Sequence, residues 1–240
     1  MTALMTAPRA WARVAGICWL LCILFGTYTE GMVRPALFVH GDAAATLHNI
    51  LAHEAMYRLG IASEFLGTAV YLVMTPILYL LLAPINRTVS LIAASFSVAG
   101  CTIWFFNVVF NSAPLILLTG GHATSGTAAL AQNQTLAYSA LRLGNEVLLT
   151  GMLCFGVQCL LAGGLLLRAT FFPRPIGLVL ALGGLGYLVS GLAQIASPPL
   201  SDMLGNYGYL PGQAGELLMG AWLTVFGVNP AKWQAQATSG

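Results

Sequence analysis

Three glutamates that fall within or beside apolar stretches, Glu64, Glu146 and Glu216, have the clearest capacity for chemistry in this chain. A carboxylate at the centre of a membrane helix costs about 2.5–3.5 kcal/mol on insertion scales, and less near the interface. The three are expected near one membrane boundary. There they either cap backbone and pair with Arg142, or converge on a polar pocket. Arg142 and Glu146 stand four apart on one helix face, a spacing that suits a salt bridge and also suits a clamp for an anion. Gln158 falls near mid-membrane, where an amide glues helices together or touches a ligand. With Tyr71 and Asn107 from the polar stripes of neighbouring segments, the candidate ligand-binding set is Glu64, Arg142, Glu146, Glu216, Gln158, Tyr71 and Asn107.

Other chemistries find less support. His48 and His53 are five apart, about 140° around a helix, a poor geometry for shared ligation. His53-Glu54-Ala55-Met56-Tyr57 lacks the second histidine of a zincin helix. A metal site would need His40, His122 or an acid from another loop, so no metal ligands are assigned. The five cysteines (Cys18, Cys22, Cys101, Cys154, Cys159) lie in apolar runs without a Cys-x-x-Cys pair, and read as small apolar fillers. There is no nucleophile elbow, P-loop or dinucleotide fingerprint. No catalytic residue and no cofactor are therefore expected.

The elements that carry these residues follow from composition. The 240-residue chain is 58% hydrophobic and only 7% charged, with a mean hydropathy of +0.83. Nine basic and seven acidic side chains cannot clothe a soluble domain of this size. A soluble enzyme, a nucleic-acid binder and a disulfide-stapled secreted domain are excluded. The expected fold is an all-α integral membrane bundle of six transmembrane helices in a single domain spanning 1–240. A crossing needs about 20 apolar residues, and runs bounded by charge, Pro or Gly place the helices at about 14–29, 60–83, 89–111, 146–167, 176–196 and 213–228. The third could continue through Pro114 to Leu118. Barrel strands are ruled out by the absence of ten-residue alternation.

Six helices put both termini on one side, together with Arg9, Arg13, Arg87, Arg168, Arg174 and Lys232. Arg34, Arg58 and Arg142 fall opposite. The positive-inside rule then makes the termini cytoplasmic. The acids fall on the outer side. Long outer segments are expected to extend the second and fourth helices: Asp42 caps a helix with Leu47, Ile50, Leu51, Ala55 and Leu59 at helical spacing, and Glu54 pairs with Arg58. The stretch from Thr127 to Leu143 reads similarly, after a Gly/Ser/Thr loop from Thr119 to Gly126. Small-residue stripes at steps of three or four are packing faces. No internal repeat is evident: Gly183-Gly184-Leu185-Gly186 and Pro76 have no counterparts in the opposite half.

Several blocks carry a family resemblance: Arg13-Val14-Ala15-Gly16-Ile17, Val33-Arg34-Pro35-Ala36-Leu37, Gly41-Asp42-Ala43, Tyr57-Arg58-Leu59-Gly60-Ile61-Ala62, Gly183-Gly184-Leu185-Gly186-Tyr187-Leu188 and Gly215-Glu216-Leu217. From about Arg13 to Gly227 the chain resembles the bacterial membrane family catalogued as domain of unknown function 4386. The resemblance implies a multi-pass protein of the bacterial inner membrane with no assigned activity, and it adds weight to Arg58, Glu64 and Glu216.

The leading functional expectation is a module that binds or transports a small molecule or lipid through an outward-facing polar pocket. An accessory subunit that packs on another membrane protein is the alternative. An intramembrane enzyme comes third, since no nucleophile or metal set supports it. The expected partners are the lipid bilayer, a small molecule or lipid, and a membrane protein, without nucleic acid.

Overall fold

Apolar runs too long for strands and free of period-two alternation fold as helices, and no strand occurs among the described residues. The computed structural model describes residues 7–119 and 127–239. The loop expected after Thr119, with His122 in it, lies outside them.

Helix α1 runs Pro8–Leu37, past the end expected at Thr29. Its continuation passes through a π-helical turn, Thr29–Val33, just ahead of Pro35. The wider turn accommodates a residue with no N–H and a ring that would crowd a regular α-helical turn. Asp42 then caps α2, Ala43–Ala52, by accepting the Ala45 N–H at 2.9 Å. The cap is as read from sequence, but α2 is not continuous with the next helix. His53 leaves helical geometry, and α3 begins afresh as Glu54–Leu82. The Glu54–Arg58 pair forms in its first turns, at 2.6 Å.

Helix α4, Arg87–Thr119, continues through Pro114. Helix α5, Thr127–Arg168, merges the expected extension and the fourth span into 42 residues. Helix α6 is Arg174–Ala196, and a short α7, Pro198–Leu204, leads through a 3-10 turn into α8, Leu210–Val225. A last helix, α9, Pro230–Ser239, has no counterpart in the sequence reading. Among the described residues, five helices (α1, α3, α4, α5 and α6) are long and apolar enough to cross a membrane. At 16 residues α8 is about 24 Å long, short of the roughly 30 Å of hydrocarbon.

The chain divides into two compact units. The first holds the residues up to Leu21, Ala69–Cys101 and everything from Thr150 onward. Its helices meet through glycine. A Cβ on Gly183 would lie 2.5 Å from the Cα of Gly212 in α8, and one on Gly184 would lie 2.6 Å from the carbonyl of Gly156 in α5. Two adjacent glycines thus serve two different neighbours, a use of small residues suited to lipid. Arg9 and Arg13 of α1 donate to the carbonyls of Phe226 and Val225, at 3.2 and 3.0 Å, and so close the C-terminal end of α8. Trp233 of α9 is buried and donates its indole N–H to the Leu81 carbonyl at 2.9 Å, while Gln236 accepts from Thr170. The second unit, Cys22–Thr68 with Thr102–Leu149, is built on a core that includes Val33, Leu37, Leu47, Ile50, Tyr57 and Leu141.

Candidate functional site

In the second unit the polar centre starts from a spacing. Asn107 and Asn111 are four apart on α4, so their side chains stand one above the other on a single face. That face meets Glu64 of α3. The Asn107 amide donates to one carboxylate oxygen and the Asn111 amide to the other, the latter at 3.0 Å. Glu64 is 8% exposed, Asn107 0% and Asn111 7%. Two hydrogen bonds to a charged acceptor, each contributing about 1.5–3 kcal/mol, offset the desolvation of a carboxylate placed there.

The surroundings hold this arrangement in place. The main-chain carbonyl of Asn111 accepts the Tyr57 hydroxyl at 2.6 Å. Gly144 of α5 lies against the amides, where a Cβ would stand 2.8 Å from Asn107 Oδ1 and 3.3 Å from Asn111 Oδ1. Those two oxygens are buried and have no hydrogen-bond partner among the described residues. Nearby, the Thr29 hydroxyl in the π-helical turn donates to the Gly60 carbonyl at 3.1 Å, joining α1 to α3.

The same unit contains a cavity of about 640 Å³, lined among others by Arg34, Phe38, His40, Tyr138, Arg142 and Glu146. Arg34 is steadied from several directions: it bonds Asn145 at 3.2 Å and Glu30 at 3.5 Å, and its guanidinium lies 5.1 Å from the centre of the Phe38 ring. Two guanidiniums, an imidazole, a carboxylate and aromatic faces make a wall that can hold an anionic or zwitterionic group beside apolar surface. The volume falls within the range of small-molecule sites.

The first unit has its own polar contacts. Glu216 of α8 accepts the Tyr187 hydroxyl at 3.0 Å and the Cys159 thiol at 3.6 Å. Gln158 of α5 accepts the Tyr71 hydroxyl at 2.6 Å, and Thr75 and Ser97 share a hydrogen bond of 2.6 Å. The Tyr71 ring packs on Trp19 and Phe155, with centroids 6.1 and 4.8 Å away. These contacts join α3, α4, α5, α6 and α8 within the unit. A recess of about 20 Å³ lies beside Gln158.

The seven residues singled out from sequence therefore fall into three groups. Arg142 and Glu146 line the cavity, Glu64 and Asn107 form the buried cluster of the second unit, and Tyr71, Gln158 and Glu216 belong to the first unit. Asn111, Arg34, Asn145 and Tyr138 were not among them. Asn111 carried a readable signal, since it repeats Asn107 one turn later on the same stripe. Arg34 carried one too, inside the Val33-Arg34-Pro35 block. Asn145 and Tyr138 carried none, because only the folded chain brings α5 beside the end of α1. His40, His48 and His53 are all exposed, and among the described residues no three His, Cys, Asp or Glu side chains converge as a metal site would require.

Comparison with known proteins adds a family and no activity. A family model described as Domain of unknown function (DUF4386) matches residues 14–227. No curated protein and no solved structure matches the chain.

Proposed function

Because the chain belongs to the DUF4386 family, whose description carries no activity, we propose its function from its own geometry: it is a binding module for a small molecule or lipid. The observation that carries this reading is the cavity of about 640 Å³ walled by Arg34, Arg142 and Glu146. Opposite charges and aromatic surface in one lining suit a ligand with an anionic head and an apolar body. Retention and transport both start from such a site.

The proposal includes a location. The chain sits in a bacterial inner membrane with six spans, α8 being the short sixth, and both termini in the cytoplasm. The charge distribution supports this orientation. Arg9, Arg13, Arg87, Arg168, Arg174 and Lys232 belong to the first unit, whereas Arg34, Arg58 and Arg142 belong to the second with Glu30, Asp42, Glu54, Glu64 and Glu146. In this orientation Arg34 and Arg142 lie on the outer side, and the cavity they line opens there.

Native mass spectrometry of the protein released from nanodiscs tests the reading, with wild type beside Arg142→Ala and Glu146→Gln. A defined adduct on the wild type that both variants lose supports it. Equal spectra without an adduct overturn it and direct the search to a membrane-protein partner.

A further inference from the structure

The buried cluster in the second unit has a feature that holding Glu64 does not require. Asn107 and Asn111 each use their amino group on the carboxylate, and each leaves its carbonyl oxygen buried without a hydrogen-bond partner among the described residues. One orphaned acceptor is tolerable, but two on neighbouring turns, turned toward the same glycine, call for an explanation. Gly144 is what permits it, since a Cβ there would press on both oxygens.

We propose that Glu64, Asn107 and Asn111 form a binding site for a monovalent alkali cation, which the two carboxamides enter by turning over. The amino group and the oxygen of a carboxamide are nearly the same size, so a half-turn about the terminal side-chain bond changes the chemistry with little change in shape. Turned over, both carbonyls face the carboxylate. With the side chains drawn back to admit an ion, four oxygens from three residues become available to it, the kind of donor that hard cations take. Without a cation those oxygens would repel the carboxylate, so the amino groups face inward instead. The orphaned carbonyls are thus the resting form of the ligands.

Charge sets the valence. The site offers one carboxylate and two neutral amides, so a monovalent ion leaves it neutral, whereas a divalent ion would leave a buried net charge. Arg34, in the same unit, makes its hydrogen bonds to Glu30 and Asn145 and none to Glu64 among the bonds described. The cavity is close along the chain: Gly144, against the amides, stands on α5 between Arg142 and Asn145, which line the cavity. The site stands independently of what fills that cavity.

Binding of radioactive sodium to the purified full-length protein in detergent tests the proposal, with choline chloride keeping ionic strength constant. The wild type is expected to bind saturably, a single ion per chain. Glu64→Gln should abolish binding, and Asn107→Leu should weaken it about tenfold or more, the scale of one lost contact to a charged group. Glu54→Gln, in the surface ion pair with Arg58, should retain it. Absence of saturable binding by the wild type, which needs no variant to fold, overturns the proposal. So does binding that survives Glu64→Gln but is lost in Glu146→Gln, since that would place the ion in the cavity.

Discussion

At the scale of single residues, two polar pairs that look alike in sequence should differ in energy. The Asn107 amide serves a carboxylate, and the Tyr71 hydroxyl serves the neutral amide of Gln158. Asn107→Leu keeps the volume and strips one donor from Glu64, so it should lower unfolding stability by about 1.5–3 kcal/mol. Tyr71→Phe removes a neutral bond, for which membrane-protein cycles average about 0.6 kcal/mol. Chemical denaturation in detergent, followed by tryptophan fluorescence, measures both; equal losses would mean that Glu64 draws nothing from its charge. Residue types and stripes were legible in the sequence here. What was not legible is which polar residue meets which. Asn111 stands on the stripe with Asn107, yet only the folded chain shows that the pair straddles one carboxylate, because the pairing depends on the rotation of α3 relative to α4.

At the scale of elements, the apolar runs fixed which segments are helices, and the ends moved for physical reasons. Helix α1 continues past Thr29 because a π-helical turn admits Pro35, and α2 breaks from α3 at His53 although the periodicity runs on. Helix α9 has no apolar run at all; it is held by Trp233 on Leu81 and Gln236 on Thr170. Glycines show the limit most clearly. Gly163 and Gly164 are neighbours on α5, but a Cβ at Gly163 would meet the Gly177 carbonyl at 2.6 Å, and one at Gly164 would meet nothing. Gly163→Ala should therefore destabilise by about 1–3 kcal/mol through overpacking. Gly164→Ala should be neutral or should stabilise by up to about 1 kcal/mol through helix propensity. Thermal unfolding of the two variants separates them, and a matching loss in both would contradict this packing. Arg9→Ala should lower the unfolding free energy modestly, by about 0.5 kcal/mol, as the α8 end loses one of its caps.

At the scale of the whole molecule, the orientation proposed from the basic residues has a direct check. A fluorescent protein that matures only in the cytoplasm, fused after Gly240, should light up, and an alkaline phosphatase fused there should stay inactive; the reverse would invert the topology and turn the cavity inward. The first unit carries a further consequence. Arg9 closes on Phe226 and Arg13 on Val225, partners 217 and 212 residues apart in the chain. Helix α1 therefore waits for α8, and two segments far apart in the chain finish as neighbours. The first unit closes there, at a seam between α1 and the end of α8. The seam can form only after Val225 and Phe226 have been made, so a chain stopped before Val225 would leave Arg9 and Arg13 without these acceptors.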